Sequence, residues 1–130
     1  MTALVDTSAI YALLAGNDEN HAAANEALDS FAEEPLLTHN YVVLESAALV
    51  QRRLGVPAVR ALFDDLLPAF ELIWVDEHTH RAAAAALIAS ANDRVSLVDW
   101  TSFEVMRQRG IDRAFAFDDD FAEQGFALVP

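Results

Sequence analysis

Four acidic residues stand where a carboxylate is either conspicuous or costly: Asp6, Glu45, Asp99 and Asp118. Asp6 follows the short apolar run Ala3–Val5, and Asp118 follows Ala114–Phe117, so each sits at the end of a candidate strand. The ordinary role of an Asp in that place is to cap the next helix. Two strand ends of one parallel sheet share an edge, however, so the pair says more than either residue alone. Glu45 lies in Tyr41–Val50, a stretch apolar nearly all round except for itself and Ser46. A helix of that kind is expected to be largely buried, and a buried carboxylate needs a cation or an Arg partner. Arg52 and Arg53 lie about two turns further on, an awkward reach for an ion pair. Asp99 falls just inside a helix start, where Ser96 as N-cap and Asp99 as its third residue would make a capping-box pair. Asp119 and Asp120 extend the acidic run after Asp118 and also suit a first helical turn.

Taken together, four segments each offer one acid. Carboxylates packed within a few ångströms do not all stay ionised unless a cation compensates. Ligands that are all oxygen point to a hard cation, Mg2+ or Mn2+, rather than zinc. Such a site suits phosphodiester hydrolysis by a metal-activated water, with no covalent intermediate on a side chain.

The elements that must carry these residues are legible as an alternation. Strands are expected at Ala3–Val5, Leu36–Thr38, Phe70–Val75, Ala114–Phe117 and Phe126–Val129. Helices are expected over Ala9–Ala15, Glu19–Ala32, from an Asn40 cap to Leu54, from Pro57 to before Pro68, over Asp76–Ser90, and over Leu97–Arg109. Gly55 and Gly110 close two of them, and a helical turn separates the last two strands. The fold class is therefore α/β, a central parallel β-sheet flanked by α-helices on both faces. Sites in such sheets lie at the carboxyl ends of the strands. With no repeat or linker, residues 1–130 read as one domain.

Bulk properties narrow the classes further. The chain has no cysteine, which excludes thiolate nucleophiles, zinc–thiolate sites and disulfides. No secretory signal is read at the N-terminus, and the longest apolar run, Ala82–Ala89, is far too short for a membrane span. A cytoplasmic protein with no membrane association is expected. The net charge is −13, and all eight basic residues are Arg. That balance disfavours a polyanionic partner unless a bound cation reverses the local field. His21, His39, His78 and His80 lack zinc-ligand spacing and read as surface or capping residues. Arg107, Arg109 and Arg113 read as surface charge, and Trp74 and Trp100 as packing or interface aromatics.

The motifs in order are Leu4-Val5-Asp6-Thr7-Ser8-Ala9-Ile10, Glu45, Ser96-Leu97-Val98-Asp99-Trp100-Thr101-Ser102-Phe103, and Ala114–Asp118 followed by Phe121 and Gly125. This ordered set resembles PIN-domain ribonucleases over essentially the whole chain, above all the VapC toxins of bacterial toxin–antitoxin (VapBC) pairs. The resemblance implies a PIN-like sheet and Mg2+- or Mn2+-dependent endonucleolytic cleavage of RNA. It also implies a homodimer held in check by a small antitoxin protein that inserts a segment near the site. The family's acids map onto Asp6, Glu45, Asp99 and Asp118, as catalytic and metal-holding residues. Its small hydroxyl residues map onto Thr7 or Ser8 and Thr101 or Ser102, as supports for ligands or phosphate. Asp119-Asp120 departs from the pattern, because relatives often carry basic or His residues there. Which of the three acids, Asp120 included, orients a metal water stays open.

A receiver domain is disfavoured by the absence of lysine, and a haloacid-dehalogenase-type phosphatase by Ser8 standing where a second Asp belongs. A non-catalytic binding or regulatory module on a PIN scaffold is the serious alternative. It is favoured if any of the four acids points away from the others.

Overall fold

The computed structural model describes residues 2–130. Five strands form one sheet in the order β3-β2-β1-β4-β5. They are β1 Ala3–Val5, β2 Leu36–His39, β3 Glu71–Ile73, β4 Arg113–Phe115 and β5 Ala127–Val129. Every pairing is parallel, so the carboxyl ends of all five strands open on one edge. Between them lie α1 Thr7–Leu14, α2 His21–Ser30, α3 Asn40–Leu54, α4 Val56–Ala61, α5 Glu77–Ser90, α6 Leu97–Arg109 and the single turn α7 Asp120–Glu123.

Strand alternation explains the two cores. Ala3, Val5, Leu36 and Phe115 point to one face, where Ala9, Ile10, Phe31, Val42 and Leu62 meet them. Leu4, Leu37, Ala114 and Ala116 point to the other, against Phe103, Val105 and Met106 of α6 and Phe121 of α7. β1 is fully buried because it is central and covered on both sides. Its three residues place Asp6 at the middle of the carboxyl edge.

Several boundaries differ from expectation for identifiable reasons. The expected helix from Pro57 to before Pro68 divides into α4, a π-helical turn Leu62–Leu66 and a tight 3-10 turn Leu67–Ala69. Pro68 cannot continue an α-helix, and the widened turn buries both Leu62 and Leu66. The strand expected over Phe70–Val75 shrinks to Glu71–Ile73, because Phe70 turns into the core and Trp74 projects into solvent at 73% exposure. The cap of α3 is His39 rather than Asn40: the His39 Nδ1 accepts from the amides of Tyr41 at 3.2 Å and Val42 at 3.4 Å. Asn40 is engaged elsewhere, its Oδ1 accepting the Val75 amide at 2.7 Å. The α3 helix is also less buried than its composition implies. Only Val42, Ser46 and Val50 are enclosed, and Leu44 is 71% exposed. Leu44, Phe63, Leu72 and Trp74 instead line an apolar groove of about 650 Å³.

Candidate active site

Asp6 is both the end of β1 and the N-cap of α1. Its amide extends the β1–β4 ladder by donating to the Phe115 carbonyl at 3.0 Å. Its Oδ2 accepts from the Ser8 amide at 3.2 Å and from the Ser8 hydroxyl at 2.7 Å. The capping role is therefore real, but it uses one oxygen only. Oδ1 is buried and has no hydrogen-bond partner, in a residue only 3% exposed. Burial, then the charges of Asp118 and Asp99, raise its pKa to about 7 against the Ser8 hydrogen bonds.

Asp118 reaches the same edge by a different route. β4 ends at Phe115, two residues earlier than expected, and Ala116–Phe117 carry the chain on. The Phe117 amide donates to the Ser8 hydroxyl at 2.9 Å, fixing this segment beside Asp6. Asp118 Oδ1 accepts the Asp120 amide at 3.2 Å. Partial burial raises the Asp118 pKa; the Asp120 amide and the adjoining Asp6 carboxyl oppose this, and the Asp120 and Asp119 charges add to it.

Asp99 arrives from the first turn of α6, a helix that starts at the carboxyl edge. The capping box forms in full: Ser96 Oγ accepts the Asp99 amide at 3.2 Å, and Asp99 Oδ2 accepts the Ser96 amide at 3.4 Å. The residue still belongs to the cluster. Burial first, then the charges of Asp118, Glu45 and Asp120, raise its pKa to about 6. Glu45 stands on α3 and lines a small apolar hollow with Tyr41, His80, Leu97 and Val98. No ion pair joins it to Arg52 or Arg53: the described residues hold two salt bridges, Arg81–Glu77 and Arg113–Glu34.

The hydroxyl residues divide. Ser8 bridges Asp6 and the Asp118 segment. Thr7 is buried and receives a long hydrogen bond, 3.4 Å, from Ser46. Thr101 donates back to the Leu97 carbonyl at 2.8 Å, and Ser102 meets His39 Nε2 at 2.8 Å. None of them reaches Asp6 Oδ1. His39 is the residue that sequence reasoning underrated. It caps as a histidine was expected to, but it is wholly buried between α3 and α6. Its position directly between a strand and a helix was the available signal. Two of the arginines are engaged elsewhere: Arg113 begins β4 at the opposite edge and pairs with Glu34 at 2.7 Å, and Arg107 holds Gln124 at 3.1 Å.

A hard divalent cation suits this donor set on two counts. The candidate donors are all carboxylate oxygens, and one of them is buried with no hydrogen-bond partner, which a cation would satisfy. Among the described residues no group of three or more His, Asp or Glu side chains is close enough together to hold a metal ion.

A PIN domain model matches residues 3–127. The chain belongs to the PIN-domain family. Within the family, this PIN chain is 36% identical over 128 residues to the 23S rRNA-specific endonuclease VapC20 of Mycobacterium tuberculosis, covering 96% of this chain and 95% of that protein. Ribonuclease VapC26 of the same species is 33% identical over 97 residues, 74% of this chain and 71% of that one. The crystal structure of VapC20, described as a Sarcin-Ricin loop cleaving toxin, superposes with a TM-score of 0.89 at 33% identity, covering 98% and 97% of the two chains. FitAcB from Neisseria gonorrhoeae shares the fold alone, at a TM-score of 0.73 and 18% identity. The PIN assignment accounts for the parallel sheet and the helices that cover it.

Proposed function

We propose that this VapC-type nuclease is the toxin of a toxin–antitoxin pair and cleaves RNA endonucleolytically with Mg2+ or Mn2+ held by Asp6, Glu45, Asp99 and Asp118. The observation that carries the reading is the buried, unpartnered Oδ1 of Asp6 beside the raised carboxyls of Asp99 and Asp118. When bound, the cation supplies Lewis-acid polarisation of the scissile phosphate and an activated water for in-line attack. The protein's own residues orient the donors. Ser8 holds Asp6 Oδ2 and leaves Oδ1 free, the Ser96 capping box fixes the Asp99 rotamer, and the Asp120 amide fixes Asp118. Thr7 supports α3 through Ser46, and Thr101 and Ser102 support α6. With Asp6 raised to about 7 and Asp99 to about 6, protons would compete with a cation for this edge near neutrality.

Two names support RNA as substrate: a relative that covers nearly the whole chain is a 23S rRNA-specific endonuclease, and another is a ribonuclease. A small antitoxin and a homodimer complete the proposal, supported by the apolar groove along α3 and β3 that the chain leaves uncovered. The whole chain acts as one PIN domain, in the cytoplasm; among the described residues no helix is long and apolar enough to cross a membrane. The test is calorimetric titration of Mn2+ into the protein and into Asp6→Asn/Asp99→Asn, with RNA cleavage followed with and without chelator. Saturable binding lost in the variant, with chelator-sensitive cleavage, is expected. Absence of specific binding reduces Asp6 and Asp99 to the capping roles they already fill, and the chain to a binding module on a PIN scaffold.

A further inference from the structure

Glu45 and Asp99 sit on different helices, α3 and α6, and must approach one another for a shared cation. Three consecutive residues anchor the start of α3. Asn40 Oδ1 takes the Val75 amide, Tyr41 hydrogen-bonds His80 of α5, and His39 reaches Ser102 of α6. The last of these is the direct link between the two acid-bearing helices. Both residues are wholly buried, so water does not compete for the bond.

Its protonation is set by the surroundings. Nδ1 faces the amides of Tyr41 and Val42, two donors, so it carries the lone pair and Nε2 carries the proton. Nε2–H therefore donates to Ser102 Oγ at 2.8 Å. Burial holds the ring neutral, its pKa pushed down to about 4. One imidazole thus caps α3 with one nitrogen and clamps α6 with the other. Ser102 lies one turn beyond Asp99, and His39 directly precedes the helix that carries Glu45.

We propose that the His39–Ser102 hydrogen bond sets the spacing of Glu45 and Asp99, making both partners positioning residues for the cation site. The inference rests on the cation reading given above. Outer hydrogen bonds that orient ligands typically change metal affinity about 10–100-fold when removed.

Two substitutions break the same bond from opposite ends. Ser102→Ala removes the acceptor, and His39→Asn keeps an oxygen to cap α3 but is too short to reach Ser102; failure of either to fold leaves the other. Mn2+ affinity is measured by calorimetry on the parent, both single variants and the double variant. In parallel, spin labels at Leu44→Cys and Glu104→Cys, placed in a chain with no native cysteine, report the α3–α6 distance without metal. The expected result is a loss of Mn2+ affinity of about tenfold in each single variant, no further loss in the double variant, and a broadened or shifted label distance. If the parent binds Mn2+ and the variants bind it equally well, the proposal is overturned whatever the labels show. If the parent binds no Mn2+, the cation reading fails by itself. The positioning role then stands or falls on the label distances: a change in the variants supports it, and identical distributions overturn it.

Discussion

The amide of Phe117 donates to the hydroxyl of Ser8 at 2.9 Å, across 109 residues of sequence. The same hydroxyl donates to Asp6 Oδ2 at 2.7 Å, so one oxygen joins the loop after β4 to the acid after β1. Ser8→Ala leaves the Phe117 amide unbonded in a part-buried place and deprives Asp6 of a donor. The expected cost is about 1–3 kcal/mol, read as a lower urea midpoint at unchanged m-value. Cleavage should fall as well, since Asp118 loses its tether to Asp6. A variant as stable and as active as the parent would show that the bridge is incidental.

In the metal-free protein, the carboxyl of Asp6 is expected to make stability fall as pH rises. Its pKa is near 7 when folded and about 3.9 when unfolded, so between those values the folded state binds more protons. Stability is then full below the lower value and is lost as pH climbs through the upper one. Asp99, near 6 when folded, acts in the same direction. His39, near 4 when folded, acts oppositely below about pH 6.5, so the comparison must be made by difference. In chelator, Asp6→Asn should match the parent at pH 4 and melt at least about 4 °C higher by pH 7.5. A constant difference across that range would refute the assignment.

Cation binding should reverse the same penalty. At pH 7.5 saturating Mn2+ is expected to raise the parent's melting temperature, and at a hundredfold excess over Kd the gain is about 2.7 kcal/mol. Chelator should abolish it, and Asp6→Asn/Asp99→Asn should show none. Asp99→Asn alone keeps an oxygen for the Ser96 amide, so helix content should persist while RNA cleavage drops by about a hundredfold or more. Circular dichroism beside a cleavage assay separates the two effects.

Arg113 offers the control at the far edge of the sheet. Its guanidinium pairs with Glu34 and lies over the Phe31 ring, 5.1 Å from the centroid. Arg113→Met should lower stability modestly, by about 1 kcal/mol after allowing for the part-exposed partner. Mn2+ affinity should be unchanged. A change in affinity would mean that the two edges communicate.

The strands and the acids at their ends were readable because burial on both faces leaves short apolar runs, and a carboxylate after such a run stands out. The extent of α6 was equally plain, with Ser96 at one end and Gly110 at the other. What local sequence could not resolve were choices made at long range. Asn40 is as good a cap as His39, but the distant Val75 amide takes its side chain. Apolar residues all round α3 suggested an internal helix. Composition does not distinguish a core from a surface left uncovered, and Leu44 lies on the second. Strands β3 and β4 also end earlier than their apolar runs, because chain beyond the last paired residue can stay apolar while leaving the sheet.

The strand order has a temporal consequence. β1 is made long before β4, yet the two are neighbours in the sheet, with Leu4 paired to Ala114. Pairing over such a separation is slow and must wait for most of the chain. A growing polypeptide can hold Asp6, Glu45 and Asp99 and still lack both the strand that completes the centre of the sheet and Asp118 beyond it. Synthesis itself is therefore a delay line: the acidic edge is completed only after the stretch from Arg113 to Asp118 has been made.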